Sequence, residues 1–292
     1  LILIKVKNTY FKSNYQGAQI MKIGDRIDYS AIVDRTPLSL PNGDRVIVWP
    51  VVNLEEWPPE LPLPRRILTP PGEGGHVPDI PNWCWSEYGM RIGIWRLMEV
   101  LADFNITPTV SMNGTVPTAY PRVAEAALEA GWEFMGHSYI QKPMYELDDE
   151  REAIFKTMET MEAFCGYKPR GWMGPGLTQT ENTPELLTEA GFEYTADWIL
   201  DDQPCPINTS QGQLYSIPYT TELNDIPIML SQHHVSSILY ERTMDYFETL
   251  YQEGRTNVRI MSIAVHPYIH GVPHRIKYFR KIFKELSEKP GV

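Results

Sequence analysis

Cysteine is scarce in this chain: Cys84, Cys165 and Cys205 are the three among 292 residues, and no two stand in C-x-x-C spacing. That excludes a disulfide framework and a zinc knuckle, and it fits a reducing cytoplasm as the expected compartment. Basic charge is in deficit, with 26 Lys and Arg against 37 Asp and Glu and a net charge of −11. No cluster of Lys/Arg with interleaved aromatics offsets this, so nucleic acid is not an expected partner. Long apolar runs are missing too. The opening Leu1-Ile2-Leu3-Ile4 is too short for a signal segment or a membrane span and meets Lys5 and Lys7 at once, so no membrane partner is expected. Met21 offers an alternative start, which would leave residues 1–20 as an upstream extension or arm without a catalytic role.

What is present is a globular composition, 42% hydrophobic and 22% charged, enough for one large core. The reading is one domain over 41–292 behind an N-terminal arm at 1–40. Residues 45–54 (RVIVWPVVNL) form the near-continuous apolar run of a buried parallel strand. A proline-rich stretch without periodicity follows at 57–82, long for a loop and therefore a candidate cover over a cleft. Beyond it, helices are predicted near 92–104, 120–130, 148–164, 184–190 and 240–253, with a terminal helix after 274. Strands are predicted at 108–112, 132–136, near 170, and at 192–198, 213–218, 227–231 and 258–265. Such alternation means βα units, seven or eight strands in all, and an α/β barrel whose chemistry lies at the C-terminal ends of its strands.

Polar residues at four strand ends stand out: Asn53, Glu55 and Glu56; His137; Asp197, Asp201 and Asp202; and His266. Carboxylates and imidazoles in that order suit general acid and base attack of water on an amide. Each has a bland alternative. Glu55-Glu56 can be a solvated strand end, Asp201-Asp202 a turn, Arg170 a surface ion-pair partner, Arg91 an exposed helix start, and Trp172 ordinary core. His270 and His274 repeat at intervals of four after His266, but prolines and Gly271 break a helix there, so both read as loop residues.

The segments VNLEEW at 52–57, GHSYIQ at 136–141, PRGWMGPG at 169–176, TADWILDDQP at 195–204 and IAVHPYIHGVPHR at 263–275 resemble, in order, the motifs of the polysaccharide deacetylase superfamily. YGMRIGIWRLMEVL at 88–101 is similar to its allantoinase-like branch, so the likeness spans roughly 45–285. The resemblance implies a distorted (β/α) barrel of about seven parallel strands. It implies Glu55 as catalytic base, Glu56 at a metal-ligand position, His266 as acid, Asp197 as its orienting carboxylate and Arg170 as the residue positioning the base. Trp172 would line the pocket, and Arg91 would contact substrate. In the family the second motif carries two histidines four residues apart. Here His137 matches, but the second position is Gln141, and a neutral amide is a poor zinc ligand. His137 and Gln141 are therefore read as substrate-binding and no metal is favoured; an ion would have Glu56 and His137, completed by His233 or His234.

The expected function is hydrolysis of a non-peptide C–N bond in a small cyclic amide, ureide or imide, with a small molecule as partner and a homo-oligomer as the assembly. The alternatives are a metal-dependent N-deacetylase of an amino sugar or polysaccharide, and a non-catalytic ligand-binding barrel.

Overall fold

The computed structural model describes residues 21–61, 63, 65–69 and 77–292, so the first twenty residues of the expected arm and part of the proline-rich segment lie outside the described residues. The strands are β1 (Val46–Leu54), β2 (Thr109–Met112), β3 (Glu133–Gly136), β4 (Gly171–Trp172), β5 (Tyr194–Thr195), β6 (Cys205–Thr209), β7 (Gly212–Ser216) and β8 (Arg259–Val265). They form one curled sheet in the order β6-β7-β5-β4-β3-β2-β1-β8, with every pairing parallel except the β6–β7 hairpin. The helices are α1 (Ile80–Tyr88), α2 (Ile94–Asp103), α3 (Val116–Ala119), α4 (Pro121–Glu129), α5 (Glu150–Cys165), α6 (Thr183–Ala190), α7 (Ile238–Glu253), α8 (Pro267–His270) and α9 (Ile276–Ser287).

Strand alternation divides the core. Trp49 and Val51 of β1 face inward with Met135, Met173, Tyr194, Tyr219 and Ala264. Val46, Val52 and Leu54 face outward against α2, α4, α7 and α9. The same alternation sends Asn53 and then Glu55 toward the barrel interior as β1 ends.

One predicted strand is absent and one strand was not predicted. Residues 227–231 form a π-helical turn, Pro227–Ser231, rather than a strand. Pro227 lacks the amide a ladder needs and suits the first turn of a helix, where its missing N–H costs nothing. The hairpin strand β6 was not anticipated, because Pro206 breaks its pattern. As the edge strand of the sheet, β6 tolerates that proline.

The segment between β7 and α7 closes the gap beside β8. Thr220 N donates to Ser262 Oγ at 2.6 Å and Ser262 N to Thr220 Oγ1 at 3.0 Å, and Asn224 makes a parallel bridge with Ala264. This seam carries Asp225 to the C-terminal end of β8. Residues 21–40 lie against the barrel: Arg26 is fully buried, with its Nη1 2.8 Å from Glu185 Oε1, and Arg35 pairs with Asp201 at 2.6 Å.

Candidate active site

Glu55 follows β1, and five side chains gather on its carboxylate. Gln141 Nε2 donates to Oε1 at 2.9 Å, while His137 Nε2 and His266 Nε2 lie 3.5 and 3.4 Å from the same oxygen. On Oε2, Trp57 Nε1 donates at 3.1 Å and the Tyr268 hydroxyl at 3.5 Å. Glu55 is 8% exposed. Burial pushes its pKa up, but the charge of His266 and the hydrogen bonds outweigh this and hold it well below the usual carboxylate range.

His266 is set by Asp225. Asp225 Oδ1 is 2.6 Å from His266 Nδ1, and its Oδ2 accepts the His266 backbone amide at 2.8 Å. A carboxylate only accepts, so Nδ1 carries a proton and Nε2 is the atom turned to Glu55. Burial alone would lower the His266 pKa, yet the Asp225 and Glu55 carboxylates raise it to about 9. The site at neutral pH is thus an ionised Glu55 beside a protonated His266. Asp225 stays ionised as well, its pKa lowered by the two histidines against the pull of burial.

Gln141 and His137 are held in one orientation each. Asn113, just past β2, donates to Gln141 Oε1 at 2.8 Å and to the His137 carbonyl at 2.5 Å, and its Oδ1 accepts Glu56 N at 3.1 Å. That fixes the Gln141 amide with its NH2 toward Glu55. His137 Nδ1 lies 2.6 Å from the Met173 carbonyl and so carries a proton, and its buried Nε2 is turned to Glu55 Oε1 at 3.5 Å. Ser138 beside it has a φ of 60°, a left-handed conformation uncommon for serine and a mark of a constrained turn.

The donor set does not fit a zinc ion bound through three residues. Gln141 offers Glu55 its NH2 and spends its oxygen on Asn113, and the Glu56 carboxylate stands near Tyr120, whose pKa it helps raise. His233 and His234 are exposed, the latter 2.9 Å from Arg242. Among the described residues no group of three His, Cys, Asp or Glu side chains is arranged to hold a metal.

Of the eight residues predicted for the site, Glu55, His266, His137 and Gln141 converge. Four do not. Arg170 precedes β4 at the opposite end of the barrel and pairs with Glu193 on the surface. Trp172 is fully buried and packs edge-on against Phe192, 5.2 Å between ring centroids, because its strand position faces the helices rather than the barrel interior. Asp197 accepts from Gly174 N at 2.8 Å, Gln179 Nε2 at 2.8 Å and Thr195 Oγ1 at 3.1 Å. It braces the turn after β4, and Asp225 takes the orienting place beside His266; burial outweighs those bonds and lifts the Asp197 pKa to about 7.

Arg91 is exposed in the π-helical turn Gly89–Gly93. That segment bears on the site through its glycines. A Cβ at Gly93 would stand 2.1 Å from the Pro267 carbonyl and one at Gly89 2.6 Å from Tyr268 N, so only glycine lets the turn pack on the chain after His266. His270, expected as a loop residue, ends the helical turn α8 that Pro267 starts, and is fully buried with its Nδ1 2.9 Å from Asp225 Oδ2. Trp57, in the proline-rich segment expected to line or cover a cleft, does reach the site, whereas sequence reasoning passed over Asn113, Asp225 and Tyr268. Trp57 sits two residues beyond Glu55, a spacing that returns a side chain to the same side of extended chain; Tyr268, inside α8, and Asp225 had no such signal.

The sequence model of the polysaccharide deacetylase family matches residues 87–195. A Schizosaccharomyces pombe protein named "Putative polysaccharide deacetylase" is 27% identical over 89% of each chain. A Helicobacter pylori peptidoglycan deacetylase is 21% identical over 69% of this chain and 80% of its own length. A crystal structure of PuuE allantoinase superposes with a TM-score of 0.77 at 25% identity, covering 91% of this chain and 94% of that one. The crystal structure of a probable polysaccharide deacetylase from Pseudomonas aeruginosa shares the fold, with a TM-score of 0.76 at 24% identity over 87% and 88% of the two chains.

Proposed function

We infer that this chain is an amide-hydrolysing enzyme of the polysaccharide deacetylase superfamily, and that the bond it breaks is the C–N bond of a small cyclic amide, ureide or imide, without a zinc ion. The observation that carries this reading is the Gln141 amide donating to Glu55 where the family motif has a second histidine. A donor in that place supports an ionised base and offers no lone pair to an ion.

Glu55 is the base. It takes a proton from water as the water oxygen bonds to the substrate carbonyl carbon and the carbonyl π pair moves to oxygen. His266 is the acid: as the tetrahedral centre collapses, the C–N bond breaks and Nε2 gives its proton to the departing nitrogen. Asp225 holds His266 so that Nε2 faces the reacting atoms. His137, fixed by its Nδ1 bond to the Met173 carbonyl, presents Nε2 beside Glu55 to a substrate or to the attacking water, and the Gln141, Trp57 and Tyr268 donors hold the Glu55 carboxylate in place. For a cyclic substrate the leaving nitrogen stays tethered to the product.

The test is a hydrolysis screen over cyclic ureides, imides and N-acetylated amino sugars, with and without chelator, beside the metal content of protein purified without added metal. Chelator-resistant opening of a cyclic amide by metal-free protein is the expected result. Stoichiometric zinc with chelator-sensitive release of acetate would replace this reading with that of the deacetylase names its curated relatives carry.

A further inference from the structure

Asp225 is shared. Its Oδ1 faces His266 Nδ1, and its Oδ2 accepts both the His266 amide and His270 Nδ1, the last at 2.9 Å. His270 and Asp225 are both fully buried. His270 lies four residues after His266, one turn along the chain through α8, so the two rings approach one carboxylate from the same side. Because a carboxylate only accepts, His270 Nδ1 must carry its proton, and its Nε2 is left as a buried atom with no partner among the described residues. A buried imidazole that spends one nitrogen on Asp225 and leaves the other bare has no second polar attachment to explain its place.

We propose that His270 is a positioning residue for the proposed acid. Its Nδ1–H pins Oδ2 of Asp225, turns Oδ1 onto His266, and draws off part of the carboxylate's charge so that His266 remains able to release its proton. This rests on the reading of His266 as the acid. Without the second donor, Asp225 would concentrate its negative charge on His266 and hold the proton harder, and the carboxylate would be free to turn. The other charged or titratable groups facing the three are Glu55 across His266, Arg275 and His274 beyond α8, and the Tyr219 and Tyr268 phenols. None of these hydrogen-bonds Asp225 among the described residues, so only His270 competes with His266 for its lone pairs.

The experiment is a pH titration of the ¹⁵N-labelled histidine rings of the full chain, with the His266 signal identified by its loss in His266→Gln. It is repeated in His270→Asn, whose amide keeps a donor near Nδ1, and in His270→Leu, which has none. In His270→Leu the His266 midpoint is expected to rise by about one pH unit, in the range that one lost hydrogen bond to a charged group supports. His270→Asn is expected to restore most of the wild-type value, and kcat on a substrate found in the screen is expected to follow, about tenfold down in Leu and recovered in Asn. An unmoved midpoint in His270→Leu, or equal movement in both variants, would overturn the proposal. In the unmodified protein the His270 ring should show its proton on Nδ1. The opposite tautomer would overturn the proposal without any variant having to fold. The midpoint is read without substrate, so its failure is separate from a failure of the hydrolytic reading.

Discussion

The two ends of the barrel use polar residues in opposite ways. At the N-terminal end they pair off in closed sets: Trp49 Nε1 donates to Thr109 Oγ1 at 2.8 Å, Thr109 to Glu133 Oε2 at 2.8 Å, and the Tyr194 hydroxyl to the other Glu133 oxygen at 3.4 Å, while Arg170 and Glu193 pair at the surface. At the C-terminal end they converge instead. His137, Gln141 and His266 all address one carboxylate oxygen, Oε1 of Glu55, and Nε2 of His137, though buried, has no hydrogen-bond partner among the described residues. Closed pairs serve stability. A buried ring nitrogen without a partner and a single shared oxygen are what a site keeps for a molecule that is yet to arrive.

The contrast breaks most sharply in activity. Glu55→Gln keeps the shape of the side chain and removes the base, and is expected to lower kcat about 10³-fold, within the range general base catalysis supplies. Arg170→Met at the other end is expected to change kcat less than about twofold, the size of a surface effect with no contact to the site. Steady-state kinetics of the two variants side by side decide this; comparable losses would mean that the ends are not divided as described.

Stability is the next largest difference. Asp225→Asn removes a buried carboxylate that holds two imidazoles and is expected to cost about 3–5 kcal/mol in denaturant unfolding. Arg170→Met breaks an ion pair whose side chains are 35% and 50% exposed, and is expected to cost less than about 1 kcal/mol because solvent already screens it.

The same contrast explains what the sequence discloses. β1 and β8 are legible because parallel strands buried on both faces are near-continuous apolar runs, β2 and β3 because they alternate with helices, and Glu55, His137 and His266 because each is the first ionisable group after its strand. Arg170 also adjoins a strand, but β4 is two residues long and the arginine comes before it, so adjacency placed it at the wrong end. Asp197 follows its strand as required, yet its lone pairs are taken by Gly174, Gln179 and Thr195. Asp225 belongs to no regular strand. Its place depends on a seam held by Thr220, Ser262 and a single bridge at Asn224, long-range pairing that leaves no periodicity to read.

The smallest expected effect separates those two aspartates. With His266 raised to about 9 by Asp225 and Glu55, and Glu55 held well below the usual carboxylate range, kcat should be flat through neutrality and fall as pH rises through about 9, where His266 loses the proton it must donate. Stability follows the same group. A histidine whose pKa is raised from 6.5 to about 9 on folding contributes its full stabilisation below about 6.5 and loses it progressively up to about 9. Asp225→Asn removes the carboxylate that does most to raise His266, so the alkaline fall of kcat should move to lower pH by about one unit or more in the fraction that folds. Asp197→Asn keeps an acceptor for the amide of Gly174 and touches neither histidine, so the alkaline fall should stay where it is. An Asp197 variant that moved the alkaline limb as far as the Asp225 variant would return the orienting role to the residue that the motif alone had suggested.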